Sequence, residues 1–185
     1  GVRVLVDCHS RFDEDSALVI GDELAELDIG WFEEPVDPAS GKEALARIAA
    51  AARLPLAGGE HLYGHQRFAE LLAGSAVETI MPDVKHCGGV AEAVRCGRAA
   101  SEAGGSVSLH SPSGPVSLLA SAHATAAVDG AMPLEHAVDE VDWRAEVLAP
   151  VEQIRQGQLW IPAGPGLGAA LDEETIRRRG RRWTP

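Results

Sequence analysis

The sequence predicts an α/β fold with a parallel sheet, and three observations predict it. Short apolar runs alternate with stretches whose apolar residues recur at three- and four-residue spacing, the strand-then-helix pattern of such folds. The runs are apolar throughout rather than alternating, as in strands buried on both faces. Each run also closes on an ionisable residue at a nearly constant interval. Asp7, Glu33, Glu60, Asp83, His110 and Glu135 are separated by 26, 27, 23, 27 and 25 residues.

The elements follow in order. VRVLVD (2–7) precedes the helical pattern SALVIGDELAELD (16–28), and IGWFEEP (29–35) precedes SGKEALARIAAAAR (40–53). LPLAGGE (54–60) precedes HQRFAELLAG (65–74), and ETIMPD (78–83) precedes GGVAEAVRCGRAASEAG (88–104). SVSLHS (106–111) precedes PVSLLASAHATAAV (115–128), and AMPLEH (131–136) is the sixth expected strand. We divide the chain into a repetitive part, 1–150, and a tail, 151–185, in which LWIPAGPGLGAALD reads as a strand and turn and EETIRRRGRRWTP as a short basic helix.

Composition bounds the function. The 185 residues suffice for one domain with a sizeable core. With 28 acids against 16 bases the formal charge is −12, which excludes the basic footprint that nucleic acid requires. No apolar run is long enough to span a membrane and no signal peptide is visible. Cys8, Cys87 and Cys96 are odd in number and lack CxxC spacing, so they read as reduced thiols of a cytoplasmic protein.

Six ionisable residues at the ends of successive parallel strands share one face of the sheet. In a (β/α)8 barrel that face carries the active site, and a doubly wound sheet also gathers ligands at strand C-termini. No GxGxxG follows any of the strands; GPGLG at 164–168 opens no βαβ unit. Asp7, Glu33 and Glu60 would repel one another unless a cation joined them. Three carboxylates suit Mg2+, a hard ion that prefers oxygen in octahedral array. Any one such acid is more simply a solvated loop residue or a helix N-cap; three at one period favour a metal. Asp83 and His110 close the next two strands, where an Asp beside a His fixes its tautomer and makes a general base.

WFEEP, AGGEH, MPDVKHCGG, SLHSPSGP and PLEH, in this order and spacing, resemble the barrel domain of the enolase superfamily, and more narrowly its mandelate racemase branch. The resemblance covers nearly the whole chain. It implies a partial (β/α)8 barrel with about six of eight βα units. It implies Asp7, Glu33 and Glu60 as ligands of Mg2+, with Glu34 facing away, and Asp83 with His110 as the dyad. Glu135 would hydrogen-bond the carboxylate side of the intermediate. His9, two residues beyond Asp7, resembles the general acid of galactonate- and mannonate-type dehydratases.

The implied reaction is dehydration of an aldonate-type sugar acid. His110 takes the α-proton, Mg2+ stabilises the ene-diolate, His9 protonates the leaving 3-hydroxyl, and a 2-keto-3-deoxy acid results. Lys85 and His61 are expected to contact substrate. His86, His123 and His136 read as structural, and Trp31 and Phe32 as core. The chain begins at Gly1 and lacks the family's first two barrel strands, its Lys-x-Lys pair and its capping domain. We therefore expect a fragment of a longer, homo-oligomeric enzyme. Two alternatives stay open: a racemase, epimerase or cycloisomerase of the same superfamily, against which His9 argues, and a truncated metal-binding chain without turnover.

Overall fold

The computed structural model describes residues 1–138 and 140–181, and the side chains of all of these except 39–41. Its centre is a five-stranded parallel sheet in sequential order, β1 (Val4–Asp7), β2 (Ile29–Glu33), β3 (Leu56–Gly58), β4 (Thr79–Ile80) and β5 (Ser106–Val107). Each strand feeds a helix: α1 (Glu14–Leu24), α2 (Pro38–Ala51), α3 (His65–Ala73), α4 (Val90–Glu102) and α5 (Pro115–Ala126). The sequential order and the single helical layer are those of barrel staves, not of a doubly wound sheet.

Local chemistry sets the helix boundaries. Asp13 caps α1, its side chain accepting from Ser16 N at 2.8 Å. Pro115 opens α5 at the one place where a missing N–H costs nothing. The N-terminus of α3 is capped from its neighbour, Glu92 of α4 accepting from His65 N at 2.7 Å. Between helices and sheet lies the main core, including Leu45, Ile48, Leu56, Phe68, Ile80 and Leu109, all essentially solvent-free. The other face of the sheet holds a smaller cluster, Trp31, Ala57 and Met81 with Met132 against them. Glu33 lies two residues beyond Trp31 on that same face.

The sixth expected strand, AMPLEH, is not a strand. Met132 N donates to Val107 O at 2.9 Å, so the segment does start along β5. Pro133 then has no N–H to continue the ladder. Side chains hold the rest: Ser108 Oγ donates to Pro133 O at 3.1 Å and Ser111 N to Glu135 Oε2 at 2.7 Å.

The segment before the tail adds a 3-10 turn (Arg144–Glu146) and β6 (Leu148–Ala149), and the tail adds β7 (Gln153–Arg155), β8 (Gln158–Trp160) and β9 (Ala170–Leu171). β6 pairs with β9 and β7 with β8, both antiparallel. Left-handed Gln156 and Gly157 make the two-residue turn of the β7–β8 hairpin. The expected basic helix is α6 (Glu173–Arg179), capped by Asp172; the last residues of its motif, 182–185, lie outside the described residues. Among the described residues no helix is long and apolar enough to cross a membrane.

Candidate active site

The register of the sheet brings the strand-end residues together. Asp7 pairs with Glu33 across β1 and β2, and Glu33 with Ala57 across β2 and β3. Glu60, Asp83 and His110 lie two or three residues beyond the ends of β3, β4 and β5. They stand at the mouth by loop geometry rather than strand alternation. Glu33, Glu60, Asp83 and His110 are all buried.

The acids crowd one another. Burial, then the charge of Asp7, with further contributions from Glu60 and Glu135, pushes the Glu33 carboxyl up to about 8, against a hydrogen bond from Trp31 that favours the anion. That bond runs from Trp31 Nε1 to Glu33 Oε2 at 2.9 Å, giving Trp31 a part in the site that its apolar surroundings did not announce. The alternation of β2 could have: positions 31 and 33 share a face.

Asp83 and His110 form the expected pair, His110 Nδ1 lying 2.9 Å from Asp83 Oδ2. The other ring nitrogen, Nε2, lies 3.0 Å from Glu60 Oε2. Burial works against a charged imidazole, but the two carboxylates prevail and raise His110 to about 10. Glu60 is held below its ordinary range chiefly by His110. Burial pushes Asp83 up, yet His110 and Lys85 together leave it below its ordinary value. Lys85 binds Asp83 through both its backbone N, 2.7 Å from Oδ1, and its Nζ, 3.1 Å from Oδ2; Nζ also donates to Ser113 Oγ.

Three placements differ from expectation. Glu34 does not face away: it is buried, and it takes hydrogen bonds from Gly59 N at 2.7 Å, Glu60 N at 3.2 Å and Ser10 Oγ at 2.8 Å. The resemblance implies otherwise; a left-handed φ of 36° at Glu34 turns its side chain inward. His9 is turned back onto Asp7, its Nδ1 2.8 Å from Oδ2 and its N donating to Oδ1 at 2.8 Å. His86, read as structural, is exposed, its ring 5.2 Å from that of His61. His61 Nδ1 in turn lies 3.2 Å from Glu60 Oε1. Leu62, Pro38 and Asp37 join His9, Ser10, Glu34, Glu60 and His61 in lining a cavity of about 410 Å3.

The residues fit a hard divalent cation. Glu60 Oε2 is buried and unmatched by a hydrogen bond of good geometry, with His110 Nε2 3.0 Å away. Three other acids, Asp7, Glu60 and Glu135, stand close enough to Glu33 to oppose its ionisation. Among the described residues, however, the trio whose ligand atoms come within 4.8 Å of one another is Glu34, Glu60 and His61. Asp7 and Glu33 stand outside it, engaged by His9 and Trp31.

The sequence profile of the enolase C-terminal domain-like family matches residues 1–175. The chain belongs to the enolase superfamily. The D-xylonate dehydratase of Haloferax volcanii is 31% identical over 173 residues, 94% of this chain and 42% of that protein. The arabinonate dehydratase of Saccharolobus solfataricus is 30% identical over 92% of this chain and 45% of its own length. The D-galactarolactone cycloisomerase of Agrobacterium fabrum is 30% identical over 95% and 48%. The chain thus spans somewhat under half the length of the curated relatives it matches. A mandelate racemase/muconate lactonizing enzyme-like protein from Rubrobacter xylanophilus superposes on 100% of this chain and 47% of its own, with a TM-score of 0.92 and 33% identity. The architecture is accordingly part of an enolase-superfamily (β/α)8 barrel.

Proposed function

We propose that this face dehydrates a sugar acid of aldonate type to a 2-keto-3-deoxy acid. The observation that carries the reading is the presence of two imidazoles at one mouth, His110 backed by Asp83 and His9 lining the cavity beside Glu60. Dehydration needs a base for the α-proton and an acid for the departing hydroxyl, and two histidines on different strand ends can serve the two ends of one bond sequence. The dehydratases among the similar proteins support the same reading.

His110 would take the α-proton at Nε2, with Asp83 on Nδ1 fixing the tautomer and stabilising the imidazolium that forms. Asp7, Glu33 and Glu60 would hold Mg2+, which when bound would supply positive charge to offset the negative charge left by loss of the α-proton. Glu135 would face the substrate carboxylate. His9 would donate its proton to the 3-hydroxyl, which leaves as water; the enol then becomes the ketone. Lys85 and His61 would contact the substrate. We further propose the cytoplasm as the compartment and a homo-oligomer as the assembly.

The test is to incubate the protein with Mg2+ and a panel of aldonates in D2O. Dehydration gives a 2-keto-3-deoxy acid, and His110→Asn abolishes both turnover and exchange of the α-proton. His9→Asn is expected to stop loss of water while exchange at the α-carbon continues. The tie of His9 to Asp7 at 2.8 Å favours a second reading, isomerisation or cycloisomerisation, in which His9 only braces a ligand. In that case the product retains its water and His9→Asn leaves its identity unchanged.

A further inference from the structure

The second glutamate of WFEEP is as solvent-free as Glu60, each 2% exposed, yet it has no part in the reaction above. Its left-handed backbone, φ 36°, swings the side chain across the end of β3. Gly58 makes the room, because a Cβ there would lie 2.8 Å from Glu34 Cγ. The Oε1 atom takes the N–H groups of Gly59 at 2.7 Å and Glu60 at 3.2 Å, and Oε2 takes Ser10 Oγ at 2.8 Å. The main chain of Glu34 repeats the connection, its N donating to Ala57 O at 3.0 Å and its O accepting from Ser10 N at 2.7 Å.

One residue therefore grips both neighbouring strand ends. Glu60 follows directly on one grip, and His9 precedes the other. Both oxygens of Glu34 are engaged by donors, three in all. Hydrogen bonds to a buried carboxylate are among the stronger ones, and backbone amides cannot move without carrying their side chains along.

We infer that Glu34 is the positioning residue of the site, a buried carboxylate that sets Glu60 and His9 relative to Glu33 without itself touching cation or substrate. This rests on the reading of Glu33 and Glu60 as cation ligands. Loss of a residue that orients ligands typically weakens metal binding about 10- to 100-fold.

The experiment measures Mn2+ binding to the full chain by the loss of the free-ion electron paramagnetic resonance signal, with circular dichroism on each variant. Glu34→Ala and Glu34→Asp are expected to weaken binding by about tenfold or more. The aspartate keeps the charge but is too short for the Gly59 and Glu60 amides, so it decides the matter if the alanine variant does not fold. Gly58→Ala, which displaces the Glu34 side chain, should match them. Glu34→Gln should rescue: its carbonyl accepts from the two amides, its NH2 donates to Ser10 Oγ, and binding stays within about threefold of the parent, well short of the loss expected for an orienting residue.

Normal binding in both Glu34→Ala and Glu34→Asp, with binding lost in Glu60→Gln, would overturn the inference alone. A loss in Glu34→Gln as large as in Glu60→Gln would make Glu34 a ligand and overturn it too. Normal binding in Glu33→Gln and Glu60→Gln would bring down the ligand reading, and this inference with it.

Discussion

Asp83→Asn probes the dyad where its geometry is tightest. Asp83 is wholly buried. It accepts Lys85 N on Oδ1 at 2.7 Å, and His110 Nδ1 at 2.9 Å and Lys85 Nζ at 3.1 Å on Oδ2. An amide of the same shape sets a donor in place of one oxygen. At Oδ2 it would oppose two donors and at Oδ1 only one, so the carbonyl stays on His110 and the charge is what is lost. His110 stands at about 10 against an ordinary 6.5, the hydrogen bond to Asp83 raising it more than the one to Glu60. Removing the Asp83 charge should lower that value, each pH unit of the fall being worth about 1.4 kcal/mol. NMR titration of the His110 imidazole, in the absence of divalent cations, should therefore find its midpoint lower in the variant than in the parent. The effect on stability has a definite sign. A histidine whose folded value is raised contributes stability that is complete below 6.5 and lost as pH rises through about 10. The variant's deficit in thermal midpoint should be full at neutral pH and shrink in strong alkali. A midpoint for His110 unchanged from the parent would refute the reasoning.

Three further outcomes are expected. Phe68 is a fully buried residue of α3, so Phe68→Ala should cost about 3–5 kcal/mol in urea unfolding; a loss below about 1 kcal/mol would mean the site collapses without a cavity. Glu92 is held down to about 2, first by the His65 backbone N–H, then by the His65 ring and Arg95; its contribution is present above 4.5 and lost as pH falls toward 2. Glu92→Gln should then cost about 1–3 kcal/mol at neutral pH and almost nothing at the acid limit, measured as thermal midpoints across pH. Mg2+ at 100 times its dissociation constant should raise stability by about 2.7 kcal/mol. EDTA should reverse that gain, and Glu33→Gln or Glu60→Gln should abolish it; a gain that persists in both variants would place the ion elsewhere.

Much of the fold was legible because period and spacing are local properties. The five helical patterns match α1 to α5 within a few residues, and the interval between strand-end acids marked the βα unit. AMPLEH failed as a strand for a reason already written in it, since Pro133 removes the donor that a ladder needs. The Asp83–His110 contact was legible because each residue follows shortly after a strand, at the interval of one βα unit. The inward turn of Glu34 was not, because φ turns positive at that residue, and no apolar pattern encodes a left-handed glutamate. Asp7 and His9 were expected on one strand face, but β1 ends at Asp7 and φ is 47° at His9, so a local turn and not alternation brings the two into contact.

The hydrogen bond between Trp31 and Glu33 makes the chain a candidate for label-free optical work. Indole emission responds to the charge accepting its N–H, and Trp31 is buried against that carboxylate. The chain has three other tryptophans, Trp143, Trp160 and Trp183. With those three changed to phenylalanine, fluorescence would come from the floor of the site alone. Ionisation of Glu33 and capture of a cation could then be followed as a change in colour and intensity, with no substrate known and no turnover required.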